Sequence, residues 1–373
     1  MPKENRRPDY VLLGISAVLL VLGMVMIFSV SASLSQEKFG NTYYFLKHQV
    51  LFGLIPGLIL AFLVFKIPLY FFKKWAPFLL LINLILVAAV FSTKVGTTFG
   101  GASRWIAFGP ISFQPSELLK LTFILYLASW LTSRTEKIPE FKKRRVFNQT
   151  FIAFIFIIGL ISALLIFQPD VSTLGIIIFV GLLMYFFSGT PLWHTIFLIL
   201  MGLGSLSALI KFKPYRFNRL LVFLRPETDP MGIGYQIKQA LITVGSGGLF
   251  GLGLGMSHQK FGFLPQPISD SIFSIFAEET GFLGSAILLF LFLIFFWRGL
   301  KISKESPDKF SQMVALGISL WIIMQSFVNI GSMIGILPLS GIPLPFISYG
   351  GTHFVAEMVG IGILLNISKT TRY

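Results

Sequence analysis

The sequence contains no cysteine, which excludes disulfides, thiolate-bound zinc and a cysteine nucleophile. It has few histidines, and His48, His194, His258 and His353 form no HxH or HExxH pattern of the kind that binds a metal. Charged residues make up 12% of the chain, roughly half the fraction of a soluble domain. No cofactor is therefore expected, and only a carboxylate-bound divalent cation stays open.

The chain is rich in apolar and basic residues instead. Hydrophobic residues make up 55% of its 373 residues, and the formal net charge is +15. In a soluble protein this charge would suggest a nucleic-acid partner. In so apolar a chain, membrane topology and an anionic substrate explain it better, so no nucleic acid is expected.

The apolar runs predict an all-α polytopic membrane protein, because many approach the roughly 20 residues that cross a bilayer. The first is too long for the core of a signal peptide and is read as a span. No repeat or soluble domain is evident, so residues 1–373 should form one membrane domain. The ten predicted spans are 10–32, 46–65, 75–93, 115–133, 150–167, 171–188, 192–211, 271–297, 310–335 and 349–368.

The distribution of lysine and arginine predicts that both termini lie in the cytoplasm. The long segment of about residues 212–270, between the seventh and eighth spans, is then extracytoplasmic. It is basic, although loops of this length escape the positive-inside rule. Binding of a phosphate or pyrophosphate explains its charge; contact with anionic lipid headgroups is the alternative.

Asp270 lies where this loop meets the eighth span, and a carboxylate is costly to desolvate there. It could simply cap the helix, but we expect it to be catalytic. Glu278 is two turns deeper on roughly the same side, whereas Glu279 points away. In the fourth span, Lys120 follows Glu117 by one turn, so the pair shares a face and should meet a cavity or a partner group.

Four other segments have a structural and a functional interpretation. Arg104-Trp105 is either an interfacial anchor or a phosphate contact, and Gln168-Pro169-Asp170 indicates a helix stop with Asp170 capping the next span. The glycine-rich run 244–255 indicates close packing or re-entrant backbone rather than a phosphate-binding loop. The run 335–351, with three prolines, should be an outer loop folded back into the protein.

These motifs, in this order, resemble the shape, elongation, division and sporulation (SEDS) family. The resemblance rests on Arg-Trp-Ile, Phe-Gln-Pro-Ser-Glu, Gln-Pro-Asp, Gly-Ser-Gly-Gly-Leu-Phe-Gly-Leu-Gly-Leu-Gly, Phe-Ala-Glu-Glu and Gly-Ile-Pro-Leu-Pro-Phe-Ile-Ser-Tyr-Gly-Gly. Tyr235-Gln236 and the short segment 255–264 look like the FtsW branch rather than the RodA branch. The sequence departs from the usual family pattern at Gln266, Ser269, Ser271, His353 and Glu357.

The resemblance implies a peptidoglycan glycosyltransferase that polymerises lipid II into β-1,4 glycan strands for cell division. It implies a multi-pass protein of the bacterial cytoplasmic membrane at the septum, in contact with membrane lipid. Its partners would be lipid II, the growing glycan, a class B penicillin-binding protein and other division proteins. The family's catalytic aspartate falls on Asp270, and its partner lysine and glutamate fall on Lys120 and Glu117.

The chemistry fits these residue types. Pyrophosphate leaves without an acid once cations neutralise its charge, so a single base must take the proton of the acceptor 4-hydroxyl. We assign that role to Asp270, with Lys120 holding and orienting it. The predicted substrate contacts are Arg104, Arg216, Arg219, Lys238, Gln236, Glu278 and Ser348.

Other functions stay open. A lipid II flippase would suit the many spans and broken helices, but no inverted repeat is visible and the charged motifs cluster on one face. A structural scaffold of the division machinery and an O-antigen type polymerase are further alternatives. An elongation or sporulation paralogue of the same polymerase is the alternative within the family.

Overall fold

The computed structural model describes residues 7–92, 96–99, 102–108, 111–135, 143–212, 221–229 and 231–371. The long helices in these ranges are α1 Tyr10–Phe39, α2 Tyr44–Lys66, α3 Leu69–Ala89, α4 Pro115–Thr135, α5 Lys143–Phe167, α6 Val171–Phe187, α7 Leu192–Phe212, α8 Ile233–Ser246, α9 Ile272–Glu305, α10 Lys309–Met333 and α11 Gly351–Ser368. One turn of α2, Val50–Leu54, is a π-helix.

Every predicted span overlaps one of these helices. Within the described residues, 7 helices are long and apolar enough to cross a membrane, namely α1, α2, α3, α5, α9, α10 and α11. The helices α6 and α7 are shorter apolar helices, and α4 carries the charged pair of Glu117 and Lys120. A polytopic membrane protein is thus confirmed, while the count of ten spans and the cytoplasmic termini stay predictions.

The expectation of an all-α protein is wrong between α3 and α4. There, β1 Gly96–Phe99, β2 Ala102–Phe108 and β3 Ile111–Phe113 form an antiparallel sheet in the order β1-β2-β3. Ile106 in β2 pairs with Gly96 and with Phe113. Strands this short give little periodicity to read, yet their ladder satisfies backbone groups that would otherwise be left unpaired near the membrane.

The helices α10 and α11 form the centre of the bundle. Of their apolar windows, 78% and 72% of the residues are buried, against 22–39% in the other candidate spans. Helix α10 packs against α9, α4 and α6. Polar side chains of α10 therefore lie inside the protein, where each needs a hydrogen-bond partner.

Helix α9 is broken at Gly281, whose φ of 70° and ψ of −167° suit only glycine. The glycine-rich turn after α8, residues 247–255, packs against α9 at this break. Four hydrogen bonds join them, from Leu252 N to Glu278 O (3.0 Å), Gly253 N to Glu279 O (3.0 Å), Phe282 N to Gly248 O (2.9 Å) and Leu283 N to Leu249 O (3.1 Å). No water is available in a bilayer to satisfy such groups, so the turn supplies the bonds that the broken helix lacks.

Glycine is required on both sides of this crossing. A Cβ at Gly251 would collide with the carbonyl oxygen of Glu279, and a Cβ at Gly281 would collide with the backbone nitrogen of Gly251. The structure thus confirms close packing as the role of this glycine-rich run. The crossing fixes the first turns of α9, which follow directly on Asp270.

Candidate active site

Asp270 lies in the turn that leads into α9. Ser271 occupies the N-cap position, so Asp270 stands one residue outside the helix. Its Oδ1 accepts a hydrogen bond from the Ser269 hydroxyl at 3.2 Å, and its Oδ2 accepts one from the Gln236 amide at 3.5 Å. Within the described residues no lysine or arginine pairs with Asp270.

Burial raises the pKa of Asp270, and hydrogen bonds from the backbone of Asp270, from the side chains of Ser269 and Gln236, and from the backbone of Ser271 offset only part of this rise. Desolvation disfavours the charged form of a carboxylate. A carboxylate whose pKa is raised is a stronger base, which suits removal of a proton from a sugar hydroxyl.

Lys120 and Glu117 form an ion pair on the first two turns of α4, as their spacing predicts. The Lys120 Nζ lies 2.8 Å from Glu117 Oε2 and donates to Gln325 Oε1 of α10 at 2.7 Å. Only 2% of Lys120 is exposed. Lys120 therefore meets a partner on α10 rather than Asp270, and its predicted catalytic role stays a prediction.

Two amides of α10, one turn apart, connect these groups. Gln325 Nε2 donates to Pro343 O at 3.1 Å. Asn329 Nδ2 donates to Asp270 O at 2.8 Å and to Ile342 O at 2.7 Å. Neither amide is among the site residues predicted from the sequence, although two amides at i and i+4 inside an apolar span are a signal for buried polar contacts.

The run 335–351 is folded back into the protein, as predicted, with Leu344, Phe346 and Ile347 fully buried. Ser348 donates to Ser269 O at 2.5 Å and accepts from Leu344 N at 2.8 Å. Its side chain is 0% exposed, and these bonds give it a structural role. A substrate contact by Ser348 stays a prediction that this geometry does not favour.

Glu278 and Glu279 are both 1% exposed and face different partners. Glu278 accepts from Ser246 at 3.3 Å and from Ser257, so each of its oxygens already has a donor. Glu279 pairs with Lys260 at 3.1 Å and accepts from Ser29 at 2.8 Å. These carboxylates hold the glycine-rich loop, and the geometry does not favour the predicted substrate contact of Glu278.

Arg104 of β2 binds backbone rather than lying free for an anion. Its Nε donates to Gln168 O at 3.2 Å, and its NH2 group donates to Pro169 O. Asp170 caps α6 by accepting from Thr173 N at 3.4 Å, which confirms the predicted cap. Arg104 therefore supports the break between α5 and α6, and its predicted phosphate contact stays a prediction.

The remaining predicted residues differ in position. Gln236 of α8 reaches Asp270 and also Ser271, at 3.2 Å, whereas Lys238 is exposed on the same helix. Arg216 and Arg219 lie outside the described residues. In the described ranges no three His, Asp or Glu side chains are grouped to hold a metal ion, so a divalent cation stays a prediction.

Comparison with known proteins identifies the family. The model of the FtsW, RodA and SpoVE family, described as cell cycle proteins, matches residues 10–373. The chain belongs to this family. Stage V sporulation protein E of Bacillus subtilis (strain 168) is 38% identical over 100% of both chains. The probable peptidoglycan glycosyltransferase FtsW of Nitrosococcus halophilus is 37% identical over 98% of this chain and 94% of its own.

Solved structures of this FtsW, RodA and SpoVE family have the same fold. A chain from a study of how a peptidoglycan synthase complex coordinates polymerization and crosslinking superposes with a TM-score of 0.76 at 28% identity, covering 97% of each chain. The rod shape determining protein RodA of Thermus thermophilus gives 0.69 at 27% identity, covering 98% of each chain. The SEDS resemblance is confirmed.

Two polar residues of α11 contact the folded-back loop, at positions where the resemblance led us to expect small or apolar side chains. Glu357 of α11 accepts from Phe346 N at 2.9 Å and from Gln325 Nε2 at 3.2 Å. His353 bonds to Ser348 O at 3.2 Å through Nε2. Phe346 has a φ of 64°, which is strained for a bulky residue. In this member of the family, these two polar side chains help to hold the loop that contacts the Asp270 turn.

Proposed function

We propose that this chain polymerises lipid II into β-1,4 glycan strands at the outer face of the cytoplasmic membrane, with Asp270 as the general base. The chain is a glycosyltransferase of the peptidoglycan-synthesising type. We assign the base from the surroundings of the Asp270 carboxylate. This residue lies half-buried in the turn before α9, pairs with no lysine or arginine of the described residues, and has a raised pKa because burial desolvates it.

The proposed reaction is one displacement at the anomeric carbon of the donor. The acceptor 4-hydroxyl attacks this carbon and gives its proton to an Asp270 oxygen. The bond from the carbon to the pyrophosphate oxygen breaks, and polyprenyl pyrophosphate leaves with the electron pair. Attack opposite to the leaving group turns the α-linkage of lipid II into a β-linkage. One carboxylate suffices, whereas glycosidases need a pair to protonate a poorer leaving group.

The donor pyrophosphate needs cations near Asp270. Lys238 is exposed on α8, the helix whose Gln236 touches Asp270. Arg216 and Arg219 belong to the same predicted outer loop and stay candidates for this contact. Arg104 is a weaker candidate because it already donates to two carbonyl oxygens. Gln236 donates to Asp270 at 3.5 Å, which supports the proposal that it also contacts a sugar bound beside this residue.

Substitution of Asp270 by asparagine tests the function. The purified chain is incubated with lipid II and a class B penicillin-binding protein, and the glycan polymer is separated by size. We expect Asp270→Asn to lower polymer yield by about 10²–10⁴-fold, the range for loss of a general base. A polymer yield near that of the wild type would contradict the assignment of Asp270 as the general base.

Asp308→Asn is the matched control. Asp308 caps α10 by accepting from Ser311 N at 3.0 Å, and asparagine caps a helix about as well as aspartate. This variant has the same change of charge but should polymerise lipid II normally. The assay in detergent also separates polymerisation from transport, since a flippase has no measurable activity without two compartments.

The cellular role that we propose is division, at the septum and together with a class B penicillin-binding protein. Relatives that bear the FtsW name support division, and the solved peptidoglycan synthase complex supports a crosslinking partner. A sporulation role is the second candidate, because the Bacillus subtilis relative is a sporulation protein. A fluorescent fusion in growing cells should collect at the septum; uniform side-wall signal would contradict the division role.

A further inference from the structure

Three consecutive carbonyl oxygens that end at Asp270 are each held by a donor from the last part of the chain. Ile268 O accepts from Tyr349 N at 2.8 Å. Ser269 O accepts from the Ser348 hydroxyl at 2.5 Å, and Asp270 O accepts from Asn329 Nδ2 at 2.8 Å. We call these three bonds the carbonyl clamp. They fix the backbone beside the carboxylate, and none of them uses a carboxylate oxygen.

We propose that Asn329 is the positioning residue of Asp270, and that Gln325 couples it to the buried Lys120. This inference rests on the proposed function, because it assigns residues that orient the proposed base. Asn329 touches no substrate atom in this scheme. It acts through the backbone of Asp270.

Asn329 suits this role because it is fully buried and both of its amide hydrogens are used. The side chain is 0% exposed. One N–H bonds to Asp270 O and the other to Ile342 O, at 2.7 Å. A single planar amide thus sets the distance between the Asp270 turn and the folded-back loop. Because α10 is the most enclosed candidate span, the amide sits on a rigid support.

Gln325 lies one turn earlier on the same helix and provides the coupling. Its Oε1 accepts from Lys120 Nζ at 2.7 Å and from Trp321 Nε1 at 2.8 Å. Its Nε2 donates to Pro343 O at 3.1 Å, next to the Ile342 carbonyl that Asn329 holds. The ion pair on α4 therefore acts on the same stretch of loop as Asn329. This gives Lys120 an influence on Asp270 without any contact between them.

Loss of this support should affect turnover more than binding. A base must be held within about 0.5 Å of its productive position, and a misplacement of about 1 Å can cost roughly 10²-fold in rate. The residues that bind the donor sugar and its pyrophosphate would be unchanged, so the affinity for the substrate should stay similar. A residue that only stabilises the fold would instead reduce the amount of active protein.

Asn329→Ala and Asn366→Ala form a matched pair that tests this. Asn366 of α11 has the same pattern, since its Nδ2 donates to Val64 O at 3.0 Å and to Ile67 O at 2.6 Å. It holds the end of α2, and neither of these bonds involves the Asp270 turn. Both variants are purified as monodisperse protein, and initial polymerisation rates are measured against lipid II concentration with the class B penicillin-binding protein present.

We expect Asn329→Ala to lower kcat by about 10–100-fold while KM changes by less than about 3-fold. Asn366→Ala should keep kcat within about 2-fold of wild type. A wild-type kcat in Asn329→Ala would overturn the inference. Equal losses in both variants would overturn it as well, because they would reflect stability alone.

Ser348→Ala keeps the test decisive if Asn329→Ala does not fold. It removes one bond of the carbonyl clamp, to Ser269 O, and it should lower kcat by several-fold without raising KM; an unchanged kcat would overturn the inference. Failure of the two proposals is distinguishable. Activity in Asp270→Asn contradicts the proposed base, whereas an inactive Asp270→Asn with a fully active Asn329→Ala contradicts only the positioning role.

Discussion

Two carboxylates at the start of α9 have opposite surroundings. Glu279 is 1% exposed and is saturated by charge and hydrogen bonds, with Lys260 at 3.1 Å and the Ser29 hydroxyl at 2.8 Å from each of its oxygens. Asp270, in the turn before the helix, pairs with no lysine or arginine of the described residues, and its side-chain donors are a serine at 3.2 Å and a glutamine at 3.5 Å. Its backbone, rather than its carboxylate, receives the strong bonds.

The difference separates a carboxylate that holds structure from one that is available for chemistry. A buried charge stabilises a fold only when its partners are complete. A base needs lone pairs that a substrate proton can reach. Perturbed groups of this second kind concentrate at functional sites. In the proposed mechanism, the carbonyl clamp fixes the base through its backbone and leaves its carboxylate oxygens to the substrate.

Breaking the Glu279 pair should have the largest effect on stability. Removal of one partner leaves the other charge buried and alone, so Lys260→Ala should lower the free energy of unfolding by about 3–5 kcal/mol. Thermal unfolding in detergent, followed by size-exclusion chromatography, measures this. Lys47→Ala is the control, because Lys47 is exposed on α2. Equal melting temperatures in the two variants would contradict the claim that the ion pair of Glu279 and Lys260 stabilises the fold.

Changing the helix break should have a smaller effect. Gly281→Ala places a Cβ where only glycine fits, at a φ of 70° and against Gly251 N; the backbone strain alone should cost about 1–3 kcal/mol. Gly202→Ala is the matched control, since nothing lies within 4 Å of its Cβ position in α7. Alanine is favoured there by about 0.5–1 kcal/mol. Thermal unfolding of both variants should show shifts of opposite sign.

The smallest expected effect is on the pH dependence of stability, which tests whether the pKa of Asp270 is raised. Because burial raises its pKa, the folded chain keeps the Asp270 proton at pH values where the unfolded chain has lost it. The Asp270 contribution to stability therefore falls as pH rises from the ordinary pKa to the raised one. Asp270→Asn should lack this slope, so the difference in melting temperature between variant and wild type should grow across this window.

Activity gives the second readout of the same shift. A general base works only when ionised, so the polymerisation rate should fall as pH decreases through the raised pKa of Asp270. The acidic limb of kcat should lie above the ordinary aspartate pKa of 3.8. A limb at or below that value would show that Asp270 is hydrated like a surface residue, and the contrast with Glu279 would disappear.

Local patterns in the sequence predicted much of this protein. Apolar runs predicted the helices, and one-turn spacing predicted the ion pair of Lys120 and Glu117. The cost of a carboxylate at a span boundary singled out Asp270, whose catalytic role stays a prediction. The partners of these residues were not predicted, because they come from distant parts of the chain. Gln325 is 205 positions from Lys120, and Ser29 is 250 positions from Glu279.

The sheet between α3 and α4 was missed for a different reason. Its strands have 4, 7 and 3 residues, too few for a clear alternation. Neutral amides such as Asn329 were also missed, because an amide inside a span is less costly to bury than a charge and is therefore a weaker signal of function. Their importance follows from what they touch, which only the fold determines.

The crossing between the glycine-rich turn and the broken helix α9 also constrains how the protein enters the bilayer. Neither segment can satisfy its own backbone there, because each provides donors and acceptors that the other lacks. The break in α9 should therefore become stable only after the glycine-rich turn has docked onto it. Biogenesis of this protein thus includes a step in which the turn and α9 dock onto each other after synthesis, rather than each becoming stable on its own.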